Sequence, residues 1–227
     1  MLRIINNGFR PAQPDGIIFD LDGVLMNSSP IHADAYRQAL SALPIGHFDY
    51  SRLAGLRTID GIRLLLNGAS ILFSEEQIEA LAAAKSRIAL ERIVAENPIV
   101  PGARGVLQAL FQVHRLALGT SASVGSVNAF LDRNSIRPLF HCVVHSGDVS
   151  RAKPAPDIFA AAARGINLAP EQCLVVEDAR AGIAAAKAAG AVACGIPSTC
   201  AANDLEQAGA DCLIDRLEDL LEIGAWR

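Results

Sequence analysis

Ile17-Ile18-Phe19-Asp20-Leu21-Asp22-Gly23-Val24-Leu25 is the stretch that decides the fold. Three apolar residues run into two carboxylates one residue apart, and a glycine follows. A continuous apolar run, without polar alternation, suits a strand buried on both faces of a sheet. In open α/β sheets ligands bind beyond the carboxyl ends of the strands, so acids placed there sit where chemistry happens. If the strand continues, Asp20 and Asp22 share one face. If the chain coils, both still belong to one small pocket. A turn or a cap is the ordinary role of an isolated Asp-x-Asp-Gly, and the rest of the chain decides against it here.

Outward from this stretch, short apolar runs recur: Leu116-Ala117-Leu118, Cys142-Val143-Val144, Leu174-Val175-Val176 and Ala191-Val192-Ala193-Cys194. Each is followed by a polar turn and a helical pattern. A weaker run, Cys212-Leu213-Ile214, precedes a helix over 217–222. Alternating strand and helix predict an α/β fold with a doubly wound, Rossmann-like parallel sheet. One interval breaks the rhythm, because nearly a hundred residues between the first two runs read mostly as helix. Ser29-Pro30 opens one helix as cap and first-turn proline. Ser74-Glu75-Glu76-Gln77 opens another with a capping box. Its apolar stripe is Ile78, Leu81, Ala82, Ile88 and Ala89, and it stops before Asn97-Pro98. We expect an α/β core from residues 1–27 and 99–227, with an inserted α-helical cap over 28–98 that hinges near Asp20. Residues 1–16 read as a loose arm.

The chain has 227 residues, 51% of them apolar and 19% charged, enough for a sizeable core. The net charge is -4 and no basic run is present, which argues against a nucleic-acid partner. The longest low-charge stretch, Ala181 to Pro197, is interrupted by Lys187, Gly190 and Gly195, so no membrane span is expected. The first residues lack the apolar core of a secretory signal. Five cysteines, at 142, 173, 194, 200 and 212, show no Cys-x-x-Cys spacing and read as buried, reduced thiols of a cytoplasmic protein.

Four segments, in order, carry a family resemblance. Asp20-Leu-Asp22-Gly-Val-Leu25 resembles the first motif of the haloacid dehalogenase superfamily, and Leu116-Ala-Leu-Gly-Thr120 its second. Ala152-Lys153-Pro-Ala-Pro-Asp157-Ile-Phe159 resembles the third, and Leu174-Val-Val-Glu177-Asp178-Ala-Arg-Ala-Gly182-Ile183 the fourth. The ordered set spans about 17 to 196. The resemblance implies a phosphohydrolase in which Asp20 attacks phosphorus and Asp22 is general acid and base. Asp20, Asp22 (through its carbonyl), Glu177 and Asp178 would hold Mg2+, a hard cation suited to oxygen ligands. Thr120, with the following amides at Ser121, would bind the phosphoryl group, and Lys153 would balance its charge. A carboxyl of ordinary pKa is ionised at neutral pH, so burial and neighbouring acids are expected to raise Asp22. Thr120 also has an ordinary reading as a helix cap, as do Glu177 and Asp178.

The insert supplies weaker candidates for gripping a small-molecule phosphate ester. His32 and Lys85 interrupt apolar stripes, and Arg57 follows the small loop around Gly55. Each has the alternative reading of a charged head reaching solvent over a buried stem. Asn27 and Ala152 depart from the family pattern, where Asp and Gly are usual. Four functions compete. The first is a phosphatase of the phosphoglycolate or sugar-phosphate type. The second is a phosphomutase similar to β-phosphoglucomutase; Thr58 stands where its cap carries arginine, which weighs against it. A 2-haloacid dehalogenase lacks the second carboxylate and the metal, and Asp22, Glu177 and Asp178 weigh against it. A non-catalytic binding module would have lost an essential group, and none is lost.

Overall fold

The computed structural model describes residues 3–5 and 14–225, with side chains to residue 222. The parallel strands are β2 (Gly16–Phe19), β3 (Arg115–Gly119), β4 (Cys142–Val144), β5 (Cys173–Glu177), β6 (Val192–Gly195) and β7 (Cys212–Leu213). Together with β1 (Arg3–Ile4) they form a sheet ordered β1-β7-β6-β5-β2-β3-β4. The expected parallel sheet is thus present, and every predicted strand lies within a residue or so of its apolar run. The loose-arm expectation for 1–16 is corrected at two points. Arg3 and Ile4 pair antiparallel with Leu213 and Cys212, and Gly16 already belongs to β2. Residues 6–13 lie outside the described residues.

Alternation along the buried strands splits the core in two. Ile17, Phe19, Leu116, Leu118, Leu174 and Val176 face one helical layer, containing α4 (Ala103–Phe111) and α5 (Val124–Arg133). Ile18, Ala117, Val175 and Ala193 face the other, with α6 (Asp157–Gly165), α7 (Arg180–Ala189) and α8 (Ala202–Gln207). Both faces are covered, as a parallel sheet requires. The 3-10 segment Leu217–Ala225 stands where a helix over 217–222 was expected.

Residues 28–98 contribute α1 (Ser29–Ala39), α2 (Thr58–Gly68), α3 (Glu75–Glu96) and no strand of the sheet. Tyr36, Leu40, Leu53, Ile62, Leu66 and Ile78 give this segment its own apolar cluster. The capping box at Ser74 and Gln77 is formed in full. The other cap differs from expectation. Ser28 is the N-cap of α1, and its side chain makes no cap bond; it is engaged elsewhere, as described below. The segment leaves and rejoins the core at one place, where Asn27 N–H donates to the Pro98 carbonyl (2.7 Å) and Met26 bridges Ile99.

Candidate active site

The ends of β2 and β5, adjacent and parallel in the sheet, deliver the acids. Asp20 follows β2, Glu177 ends β5 and Asp178 follows it, and all three are buried. Oxygens of the three lie within 4.8 Å of one another. Lys153 arrives from the loop before α6. Its Nζ donates to Asp20 Oδ1 and to Glu177 Oε1, each at 2.6 Å, and sits 4.6 Å over the Phe159 ring. Burial alone would lower this ammonium's pKa, but the charges of Asp20 and Glu177 outweigh it and raise it. Lys153 is therefore a fixed cation.

Glu177 has a double duty. Its other oxygen accepts from the amides of Asp178 (2.9 Å) and Ala179 (3.0 Å), ahead of α7. Gly182 is needed here, because a Cβ there would collide with the Glu177 carboxylate. Asp178 accepts from Ser198 Oγ at 3.2 Å, and that hydroxyl also reaches the Gly23 carbonyl at 2.6 Å. Gly23 takes φ +80°, and a Cβ on it would strike Asp178. Burial, then neighbouring acids, push Asp178 up; Asp20 is raised to about 7 by burial and by Glu177 and Asp22, against the pull of Lys153. One ammonium does not balance three buried carboxylates. The unbalanced charge and the hard oxygen donors fit a divalent cation.

Asp22 has different neighbours, and its expected pKa is corrected. Burial would raise it, but the hydrogen bonds of His32 and Ser28 and the charge of Lys85 more than offset this and hold it below the ordinary carboxylate value. Ser28 Oγ donates to Asp22 Oδ1 at 2.6 Å, and His32 Nε2 lies 2.8 Å from the same oxygen. Lys85 Nζ lies 2.9 Å from His32 Nδ1 and 4.6 Å over the Tyr36 ring. An ammonium can only donate, so Nδ1 accepts, and the ring's proton sits on Nε2 facing Asp22. Burial and Lys85 lower His32, which keeps the imidazole neutral. Burial lowers Lys85 to about 8. Lys85 is only 5% exposed, so it is no snorkelling surface residue.

The remaining candidates lie around a cavity of about 230 Å³ that opens onto Asp20 and Asp22. Thr120 Oγ1 accepts from the Ala122 amide at 3.1 Å, which leaves its proton for another acceptor. The cap of α5 is Ser123, not Thr120. Ser121 Oγ donates to the Gly55 carbonyl at 2.7 Å. These two candidates meet each other, joining core to helical segment. Arg57 lines the cavity one-third exposed, with Nε held by Asp60 at 3.0 Å. Sequence reasoning missed Ser28, Ser198 and Tyr50. Ser198 follows β6, and the strand-end rule that found Asp20 could have flagged it; Ser28 was masked by the cap assigned to Ser29.

The parallel sheet, with buried acids and a lysine at its carboxyl ends, defines a Rossmann-like α/β protein with an acidic site at the strand ends. Residues 14–190 match the haloacid dehalogenase-like hydrolase family, and the chain belongs to it. It is similar to a phosphorylated carbohydrates phosphatase of Thermotoga maritima, 30% identical over 78% of this chain and 82% of that one. It is also similar to a beta-phosphoglucomutase of Bacillus subtilis, 29% identical over 90% of each. A hydrolase from Pseudomonas syringae superposes with a TM-score of 0.83, at 28% identity over 92% of this chain and 96% of that one. Among the described residues no helix is long and apolar enough to cross a membrane.

Proposed function

We propose that the protein is a magnesium-dependent phosphatase acting on a small phosphorylated metabolite, of sugar-phosphate or phosphoglycolate type, through an aspartyl-phosphate on Asp20. The observation that carries this reading is the pair of 2.6 Å contacts by which Lys153 holds Asp20 and Glu177 beside Asp178. Asp20, Asp178, Glu177 and the Asp22 carbonyl would hold the metal, which offsets the charge of the carboxylates and the phosphoryl group when bound. Glu177 is the most constrained of these, since Lys153 and two amides already engage it.

Asp20 attacks phosphorus, and the bond from phosphorus to the leaving oxygen breaks. Asp22 gives the departing alkoxide a proton. Asp22 then takes a proton from water, whose oxygen bonds to phosphorus as the bond to Asp20 breaks. Asp22 as found is ionised, which suits the second half. For the first half, a phosphoryl dianion nearby raises its carboxyl, and a proton can pass from Lys85 to His32 Nδ1 and from Nε2 to Asp22. Lys153 and the Thr120 hydroxyl hold the phosphoryl oxygens.

Residues 28–98 act as a cap that closes over Asp20. The single crossing at Asn27 and Pro98 supports a hinge, and the Ser121–Gly55 contact supports a closed position. Closure excludes water and strengthens each charged contact. Hydrolysis is favoured over phosphoryl migration within a bisphosphate, because of the two cations among the described cavity-lining residues Lys85 is turned to His32 and Arg57 is offset by Asp60. Five unpaired cysteines, four of them buried, support a reducing cytoplasm.

The test is release of phosphate from p-nitrophenyl phosphate. Activity should require magnesium and vanish with EDTA. Undiminished turnover without metal, or metal-free halide release from a 2-haloacid, would move the chain to dehalogenase chemistry.

A further inference from the structure

Tyr50 belongs to no motif of the sequence and to no step above. It opens the short 3-10 turn Tyr50–Arg52, whose cap Asp49 accepts from Ser51 N (2.9 Å) and Ser51 Oγ (2.7 Å). The turn rests on the core, where Cys200 Sγ donates to the Ser51 carbonyl at 3.6 Å. The phenol ring lies nearly parallel to His32, at 18° and 6.4 Å between centroids, and 6.3 Å from Tyr36. It lines the same cavity as Asp20 and Asp22.

The two tyrosines differ in one respect. The Tyr36 hydroxyl donates to the Thr58 carbonyl at 3.4 Å. Among the described residues, the Tyr50 hydroxyl makes no hydrogen bond. A tyrosine hydroxyl withdrawn from water usually finds a partner, and Tyr50 is half-buried along this cavity. Three other side chains of the cavity wall already have a partner within the protein: Ser121 in the Gly55 carbonyl, Lys85 in His32 and Arg57, through Nε, in Asp60.

Position says which part of the substrate this hydroxyl meets. Lys153 and Thr120 approach the phosphoryl group from the sheet. The leaving oxygen must face Asp22, its proton donor, and Tyr50 stacks on the histidine bonded to Asp22. Burial, with Asp22 the foremost of the nearby acids, pushes the phenol well up, so it stays a donor at working pH.

We propose that Tyr50 is a specificity-determining residue whose hydroxyl donates a hydrogen bond to a hydroxyl oxygen of the leaving alcohol. The leaving group is uncharged and hydroxylated, because Asp60 already offsets the Arg57 charge and Lys85 is turned to His32. This rests on the phosphatase reading and narrows it to esters of polyhydroxylated alcohols, excluding the carboxylate of phosphoglycolate.

The experiment compares wild type with Tyr50→Phe, which keeps the ring and its stacking. We would measure kcat/KM for the best of glucose, mannose and fructose monophosphates, and for p-nitrophenyl phosphate, whose leaving group has no hydroxyl partner. The ratio of the two should fall about 10- to 100-fold in the variant. A ratio unchanged within about twofold, whether both activities fall or neither does, overturns the role, since a structural effect moves both together. Activity of the wild type on p-nitrophenyl phosphate but on none of the sugar esters, or a preference for phosphoglycolate, overturns it equally while leaving the phosphatase intact. Inactivity on every phosphate ester would instead remove the reading beneath it.

Discussion

Two buried lysines flank the Asp20 and Asp22 carboxylates, one bonded to Asp20 and one reaching Asp22 through His32, and they are not equivalent. Lys153, on the sheet side, lies between two carboxylates, and its ammonium is fixed. Lys85, on the helical side, meets a neutral imidazole and a tyrosine ring, and burial brings it to about 8. The same desolvation acts on both. What differs is the charge each finds on arrival. The sheet side is thereby a fixed electrostatic frame, and the helical side is a titratable one.

Removing Lys153 should do the most damage. Lys153→Met leaves Asp20 and Glu177 buried without their cation, which is expected to cost about 3–5 kcal/mol of stability in denaturant unfolding. Phosphate-ester turnover should fall by roughly a thousandfold or more, since the charge balancing the phosphoryl group is lost. A Lys153→Met protein as stable and active as wild type would erase the distinction between the two lysines.

Lys85→Met should lower kcat/KM by about 10- to 100-fold, the loss of one charge-assisted contact. The pH profile sharpens the contrast. The protonated ammonium is the form that donates to His32, so wild-type activity should fall as pH rises past about 8. That limb should disappear in Lys85→Met, because no titrating group remains at the position. A limb near 8 that persists in the variant would assign it to another group.

Arg57→Ala should have the smallest effect, within about fivefold on any monophosphate ester. An exposed pair such as Arg57–Asp60 contributes roughly 0–1 kcal/mol. A larger loss confined to bisphosphates would give Arg57 a second phosphate to hold and revive the phosphomutase reading.

The same division separates what the sequence discloses from what it hides. Asp20, Glu177 and Asp178 were legible because each ends an apolar run, and a buried parallel strand writes its position in the sequence directly. The Ser74 capping box was legible because it is local. The line from Asp22 through His32 to Lys85 was not, since it joins α1 to α3 across 53 residues and depends on how two helices pack. The reversal of the Asp22 pKa follows from that: its neighbouring acids are visible in the sequence, its hydrogen-bond donors are not. β1 escaped notice because two residues on a sheet edge carry no periodicity. Tyr50 was unremarkable as a residue and acquires meaning only from the cavity it faces.

The central claim is that Asp20 becomes covalently phosphorylated. Asp22→Asn should retain the frame around Asp20 while removing the base that hydrolyses the intermediate. Acid quench of this variant after mixing with an activated aryl phosphate and magnesium, followed by peptide mass spectrometry, tests the claim directly. The mass of one phosphoryl group should appear on the peptide bearing Asp20 and be absent when Asp20→Asn is added. Phosphorylation of another residue, or undiminished turnover by Asp20→Asn alone, would contradict the account.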